Sequence, residues 1–146
     1  KEEYKLVIAG GVEHETTYLN YLKNKSNSKK IIYTGFVTKK PLEELYTHTR
    51  LFVLPSHNEG FPLVVLEAMQ IGCDILLSDI PATRLLVLPD NLYFSMGNVS
   101  DLILHLKEKL NKSNPVIHSY NILDFDWKKI CHQTSIIYNS LTKKTI

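Results

Sequence analysis

A chain of 146 residues can bury one core but scarcely two, so one compact domain is the expected count. An apolar fraction of 44% with 22% charged residues excludes a disordered or fibrous chain, and 17 basic against 15 acidic residues, spread to a formal charge of +2, are too balanced for a nucleic-acid groove. No run approaches the length of a membrane-spanning helix and no basic-then-apolar leader opens the chain, which leads to a cytoplasmic expectation.

Tyr4 to Gly10 reads Y-K-L-V-I-A-G, a strand that leaves its sheet in the tight turn of Gly10-Gly11. From about Glu13 to Lys25, Tyr18, Leu19, Tyr21 and Leu22 recur at helical spacing, and Ser26-Asn27-Ser28 breaks the helix. Ile31 to Thr34 before Gly35 is a second strand, Pro41 to Tyr46 a short helix with proline near its start, and Leu51 to Leu54 before Pro55 a third strand. Pro62 to Ile71, P-L-V-V-L-E-A-M-Q-I, is apolar nearly all round and reads as a buried helix closed by Gly72. Asp74 to Ser78 and Leu92 to Phe94 are the fourth and fifth strands. Val99 to Leu110 is an amphipathic helix with Leu102, Ile103, Leu106 and Leu110 on one side. Beyond Pro115 an irregular stretch leads to a last helix, Trp127 to Leu141, with Asp126 as its N-cap.

This order predicts an α/β fold, a Rossmann-like open parallel sheet flanked by helices. Such sheets bind ligands beyond the carboxyl ends of their strands, which directs attention to the loops after Gly10, Thr34 and Leu54. The third is the informative one: Pro55-Ser56-His57-Asn58-Glu59-Gly60-Phe61-Pro62. Gly60 lets backbone approach a ligand, Pro62 sets the first helical turn, and the amides of Phe61, Leu63 and Val64 are expected to point out of the helix end as a seat for a diphosphate. Glu67 is the lone acid of the helix. A buried carboxylate needs donors, and two ribose hydroxyls would supply them. The bland alternative makes Glu59 an exposed loop acid and pairs Glu67 with a lysine or a backbone amide.

At these residues, E-G-F-P-L-V-V-L-E-A from Glu59 to Ala68, the chain resembles the C-terminal domain of glycosyltransferase family 4, whose two glutamates are separated by seven residues. The resemblance extends to L-V-I-A-G-G at Leu6, I-Y-T-G-F-V at Ile32, L-F-V-L-P-S at Leu51, S-D-I-P at Ser78 and F-D-W at Phe125. It implies the GT-B architecture of two facing Rossmann-like domains, with transfer of a hexose from a UDP-, GDP- or ADP-sugar to a glycan or glycolipid in surface polysaccharide assembly, with retention and without a bound metal or other cofactor. Carried over, Glu67 binds the ribose. Glu59 takes the catalytic assignment at the sugar hydroxyls, Gly60, Phe61, Pro62 and Leu63 line the sugar and phosphates, Phe36 and Val37 meet the base, and Gly11 joins the donor-binding set.

The family's arginine and lysine phosphate ligands lie on a loop ahead of this chain's first strand, so residues 1–146 are expected to lack the first strand-helix unit and the N-terminal acceptor domain. Lys1 in place of Met agrees with this, and the chain alone is expected to be inactive. Leu85 stands where a glutamate often follows the arginine, which leaves the role of Arg84 open.

Other residues carry less. His14, His48, His57, His105, His118 and His132 show no metal-ligand spacing, and His57 reads as a loop histidine or a donor neighbour. Cys73 and Cys131 read as reduced and structural, the tyrosines as core residues with surface hydroxyls, and Trp127 as an anchor of the last helix. Lys39-Lys40 and Lys143-Lys144 read as solvated faces, ranked above a peripheral membrane contact of the full-length protein. The rival functions are a non-catalytic nucleotide-binding or interaction module and a GT-B nucleotide-sugar epimerase. The latter needs acid and base residues that the sequence does not offer.

Overall fold

The computed structural model describes residues 4–11, 17–25, 29–111 and 117–142. Expectations resting on residues 12–16, among them His14 and the start of the first helix, on Ser26-Asn27-Ser28, on Pro115 and on Lys143-Lys144 lie outside these residues. Strands and helices alternate as β1 (Leu6–Ala9), α1 (Thr17–Lys25), β2 (Ile31–Gly35), α2 (Lys40–His48), β3 (Phe52–Leu54), α3 (Leu63–Ile71), β4 (Ile75–Asp79), α4 (Pro81–Arg84), β5 (Tyr93–Ser95), α5 (Val99–Leu110) and α6 (Trp127–Thr142). The strand pairings are all parallel, and they form two sheets in two compact units, Lys1–Leu45 and Tyr46–Ile146.

In the first unit β1 pairs with β2, Leu6 opposite Ile31, with a slip between Ile8 and Ala9 that brings Ala9 opposite Gly35. Leu6, Val7 and Ile8 are all exposed.

The second unit is built on the order β3-β4-β5. β4 is central, and its run Ile75-Leu76-Leu77 is fully buried, as a parallel strand covered on both faces requires. Each such side chain contributes about 1.5–3 kcal/mol by leaving water. Val65, Ala68 and Met69 of α3 and Leu92, Tyr93 and Phe94 around β5 complete this core. Because β3 and β4 are parallel, α3 must run back across the sheet. Its N-terminus therefore lies at the carboxyl edge of the strands and its C-terminus at the amino edge. Gly72 ends it as expected, left-handed at φ +82, where a Cβ would come within 2.8 Å of the His118 carbonyl oxygen. The Cys73 N–H then donates to the Ala68 carbonyl at 3.0 Å.

Several expectations change. α3 is not buried all round: Leu63 is 57% exposed and Val64 40%, and Glu67 is exposed beside them. The sheet covers one side of the helix, and hydropathy alone does not say what covers the other. α5 has the expected bounds, yet it turns Lys109 inward and leaves Ile103 exposed. Tyr46 and Tyr93 are buried, whereas Tyr18, Tyr21 and Tyr138 are exposed. Trp127, 71% exposed, is no anchor. Both cysteines are free thiols, but Cys131 is exposed and only Cys73 is structural. Asp126 does cap α6, its Oδ1 accepting from the Lys128 and Lys129 N–H groups at 2.8 and 3.2 Å.

α4 is not among the elements expected from the sequence. Thr83, fully buried, builds it by donating its hydroxyl to the Ser78 carbonyl at 2.7 Å and accepting from the Ile80 N–H at 3.3 Å. Residue-type patterns miss this because the turn rests on one side-chain hydroxyl that both donates to and accepts from the backbone.

Candidate functional site: an open helix end between two carboxylates

The loop from Pro55 to Pro62 leaves the carboxyl end of β3 and enters α3, so the parallel sheet delivers it to the ligand-facing edge. Pro62 is fully buried and fixes the entry, while Gly60, Phe61, Leu63 and Val64 are all exposed. The mouth of the helix is thus open. One of its amides is already engaged, contrary to expectation: the Leu63 N–H donates to the Phe61 carbonyl at 3.0 Å, and the Val65 N–H to that of Pro62 at 2.9 Å. Among the described residues the Phe61 and Val64 N–H groups have no backbone acceptor, so they remain as anion donors at the positive end of the helix dipole.

Glu59, half-buried, accepts the Ser56 hydroxyl on Oε1 at 2.7 Å. This short bond holds the acid against its own loop instead of leaving it free in solvent. No protein atom lies within 4 Å of where a Cβ on Gly60 would sit, so the protein itself does not demand a glycine there. Phe61 packs its ring against Phe125, centroids 5.6 Å apart.

Within the protein, Glu67 is satisfied differently from the bland expectation. It is not buried, and its partner is neither a lysine nor an amide: the Tyr46 hydroxyl donates to Oε2 at 2.9 Å. Burial, and then this hydrogen bond, push the Tyr46 phenol well above its ordinary range, which keeps it a donor at any physiological pH. Tyr46 and Ser56 are the partners of the two acids that sequence reasoning missed. Ser56, three residues before Glu59, was findable as a local hydroxyl partner. Tyr46 was not, because it lies 21 residues from Glu67 along the chain.

Arg84 now has a place. Its guanidinium forks onto Asp79, Nε to Oδ1 and Nη2 to Oδ2 both at 2.7 Å, reaches Asp90 at 2.5 Å and lies 4.0 Å from the Tyr93 ring centre. Arg84 in turn holds the Asp79 carboxyl below its ordinary range. Engaged by two carboxylates, it offers no spare charge to an anion.

In the first unit, the exposed Phe36 ring lies against Gly11, where a Cβ would come within 2.6 Å of it. Two residues of the expected donor set are thus neighbours, and Val37 follows half-buried. His57 is exposed, 3.6 Å from where a Cβ on Gly97 would stand.

A cavity of about 160 Å3 lies elsewhere, lined by Thr47, Thr49, Arg50, Gly72, Asp74 and Ile117 among others. It opens at the amino ends of β3 and β4, away from the edge where parallel sheets bind ligands. Among the described residues no group of three or more His, Cys, Asp or Glu side chains is arranged to hold a metal ion. No helix among them is long and apolar enough to cross a membrane.

Comparison with known proteins adds an independent line. The chain is 34% identical over 80 residues to the alpha-galactosylglucosyldiacylglycerol synthase of Streptococcus pneumoniae, covering 55% of this chain and 20% of that protein. It is 25% identical over 146 residues to the O-antigen biosynthesis glycosyltransferase WclY of Escherichia coli, covering 98% of this chain and 40% of the relative. A serotype-specific mannosyltransferase, WbdA of Escherichia coli, is 38% identical over 105 residues, 70% of this chain and 13% of its own length. The chain therefore spans at most two fifths of these relatives. Among solved structures, sucrose-phosphate synthase from Thermosynechococcus elongatus superposes with a TM-score of 0.80 at 20% identity, over 97% of this chain and 39% of that one, which establishes the fold as that of a GT-B glycosyltransferase. The family described as Glycosyl transferases group 1 matches residues 1–117, and the chain belongs to it.

Proposed function

We propose that the chain is the donor-binding domain of a retaining, metal-independent glycosyltransferase that moves a hexose from a nucleotide-sugar to a glycan or glycolipid acceptor, within a longer protein whose other domain holds the acceptor. The observation that carries this reading is the pair of carboxylates flanking the open N-terminus of α3. Each is held by a neutral hydroxyl, Ser56 on Glu59 and Tyr46 on Glu67, and neither is neutralised by a cation among the described residues. Such a carboxylate keeps its remaining lone pairs for ligand hydroxyls.

In this reading the diphosphate sits at the helix end, where the Phe61 and Val64 amides and the helix dipole stabilise the charge that develops as the glycosidic bond breaks. Glu67 accepts the ribose hydroxyls and Glu59 those of the sugar, with Gly60, Phe61, Pro62 and Leu63 between them. Phe36, Val37 and Gly11 keep the assignment to the base that the family resemblance implies. Membership of the family and the O-antigen and glycolipid activities named for its relatives support the substrate class.

Isothermal titration of the full-length protein tests the division of labour. Glu67→Gln should weaken the nucleoside diphosphate about tenfold, near 1.4 kcal/mol. Glu59→Gln should leave the diphosphate unchanged and weaken only the intact nucleotide-sugar. Equal effects of the two variants on both ligands would remove these roles.

A further inference from the structure

Glu67 sits on the exposed side of α3, where a glutamate has several rotamers of similar energy, so a ligand would have to freeze it. The structure removes that freedom. Tyr46, 8% exposed, is fixed at three points within its own unit. Its ring packs on Phe52 with centroids 5.7 Å apart, its carbonyl accepts the Cys73 thiol at 3.3 Å, and its hydroxyl reaches across to α3. There it donates to Glu67 Oε2 at 2.9 Å and lies 3.4 Å from the Val64 carbonyl of the preceding turn.

We propose that Tyr46 is a positioning residue for the donor site, holding the Glu67 carboxylate in the orientation that receives the ribose, a role that rests on the reading of Glu67 given above. A phenol suits the task better than a lysine or arginine would. It fixes one oxygen through a single directional bond and adds no positive charge, so Oε1, which has no hydrogen-bond partner among the described residues, keeps its full acceptor strength. The anchoring of the ring by β3 and of the carbonyl by Cys73 means that the hydroxyl is placed before any ligand arrives. The entropic cost of ordering Glu67 is then met in folding and not in binding.

The test uses the full-length protein, with UDP, GDP and ADP titrated in turn to find the diphosphate that binds and its 2′- and 3′-deoxyribose analogues as further probes. Tyr46→Phe keeps the ring and its packing and removes only the hydroxyl. It should weaken the chosen diphosphate about threefold to tenfold, the range of one hydrogen bond. In a Glu67→Ala background, which leaves the hydroxyl no side-chain oxygen to hold, the same substitution should change nothing, because the two side chains act as one unit. Whichever deoxy analogue wild type disfavours should be disfavoured less by Tyr46→Phe. A lowered melting temperature with unchanged diphosphate affinity would confine Tyr46 to the core and overturn the proposal, as would additive losses in the double variant. If Glu67→Gln itself leaves affinity unaltered, the ribose assignment falls and takes this inference with it. If Glu67→Gln weakens binding while Tyr46→Phe does not, only the positioning role fails.

Discussion

The two ends of the three-stranded sheet use the same functional group in opposite ways. At the carboxyl edge, Glu59 and Glu67 are reached by solvent and held by hydroxyls. At the amino edge, Asp74 is 4% exposed and paired with Lys109 at 2.5 Å, itself 7% exposed, with His118 Nε2 3.3 Å from the same oxygen but out of hydrogen-bonding alignment. The Tyr120 hydroxyl and the His118 N–H bind the backbone of Cys73 and Gly72 alongside, at 2.8 and 3.0 Å, so the chain beyond α5 is tied to this end. A carboxylate that has been taken out of water and given its cation is finished chemically. One that keeps its solvent access and only a neutral donor still has capacity for a ligand.

The difference predicts where mutation costs stability and where it costs binding. Lys109→Met should be the most damaging change, since it strands Asp74 as a buried charge, with a loss of about 3–5 kcal/mol in urea denaturation. Adding Asp74→Leu to it should recover much of that loss. A cost below about 1 kcal/mol for the single variant would show that the amino edge is not the rigid end.

Thiol labelling sharpens the same contrast. Burial raises the Cys73 thiol above its ordinary range and shields it, so iodoacetamide should modify exposed Cys131 at least about tenfold faster in the folded protein. Lys109→Met should narrow that ratio by loosening the neighbouring strand start. A ratio near one in wild type would mean that Cys73 is open to solvent.

Acid titration probes a smaller effect. The Ser95 N–H donates to Asp101 Oδ2 at 2.7 Å and holds that carboxyl below its ordinary range, tying α5 to β5. A depressed carboxyl stabilises the fold above its unfolded value and ceases to do so as pH falls through the folded one, so this contribution should fade below about pH 4. Asp101→Asn should flatten that part of the acid limb in pH-dependent melting and leave neutral pH as its region of greatest relative loss. An unchanged limb would remove Asp101 from the account.

The smallest changes are expected at two positions. The buried Ser78 hydroxyl has no hydrogen-bond partner among the described residues, so Ser78→Ala should be neutral or slightly stabilising. Glu67→Gln should alter stability by no more than about 0.5 kcal/mol, as an exposed position allows. If Glu67→Gln destabilises as strongly as Lys109→Met, the two ends do not differ and Glu67 is a structural acid.

By itself the sequence determined the alternation of strands and helices, the end of α3 at Gly72, the cap at Asp126, the loop that carries Glu59 and the helix that carries Glu67. These follow from hydrophobic period, glycine and proline chemistry and residue spacing, all of which act within a turn or two of the chain. Tertiary structure decided which side of α3 is covered, which residue of α5 turns inward, and what answers each acid. The Tyr46–Glu67 bond spans 21 residues and the Lys109–Asp74 bond 35, and such pairs exist only once the parallel crossovers have brought distant helices onto one sheet. Local pattern can mark an acid as needing a partner. The partner itself is chosen by packing, which is why a helix read as wholly buried proved to have one face open and its acid held by a tyrosine.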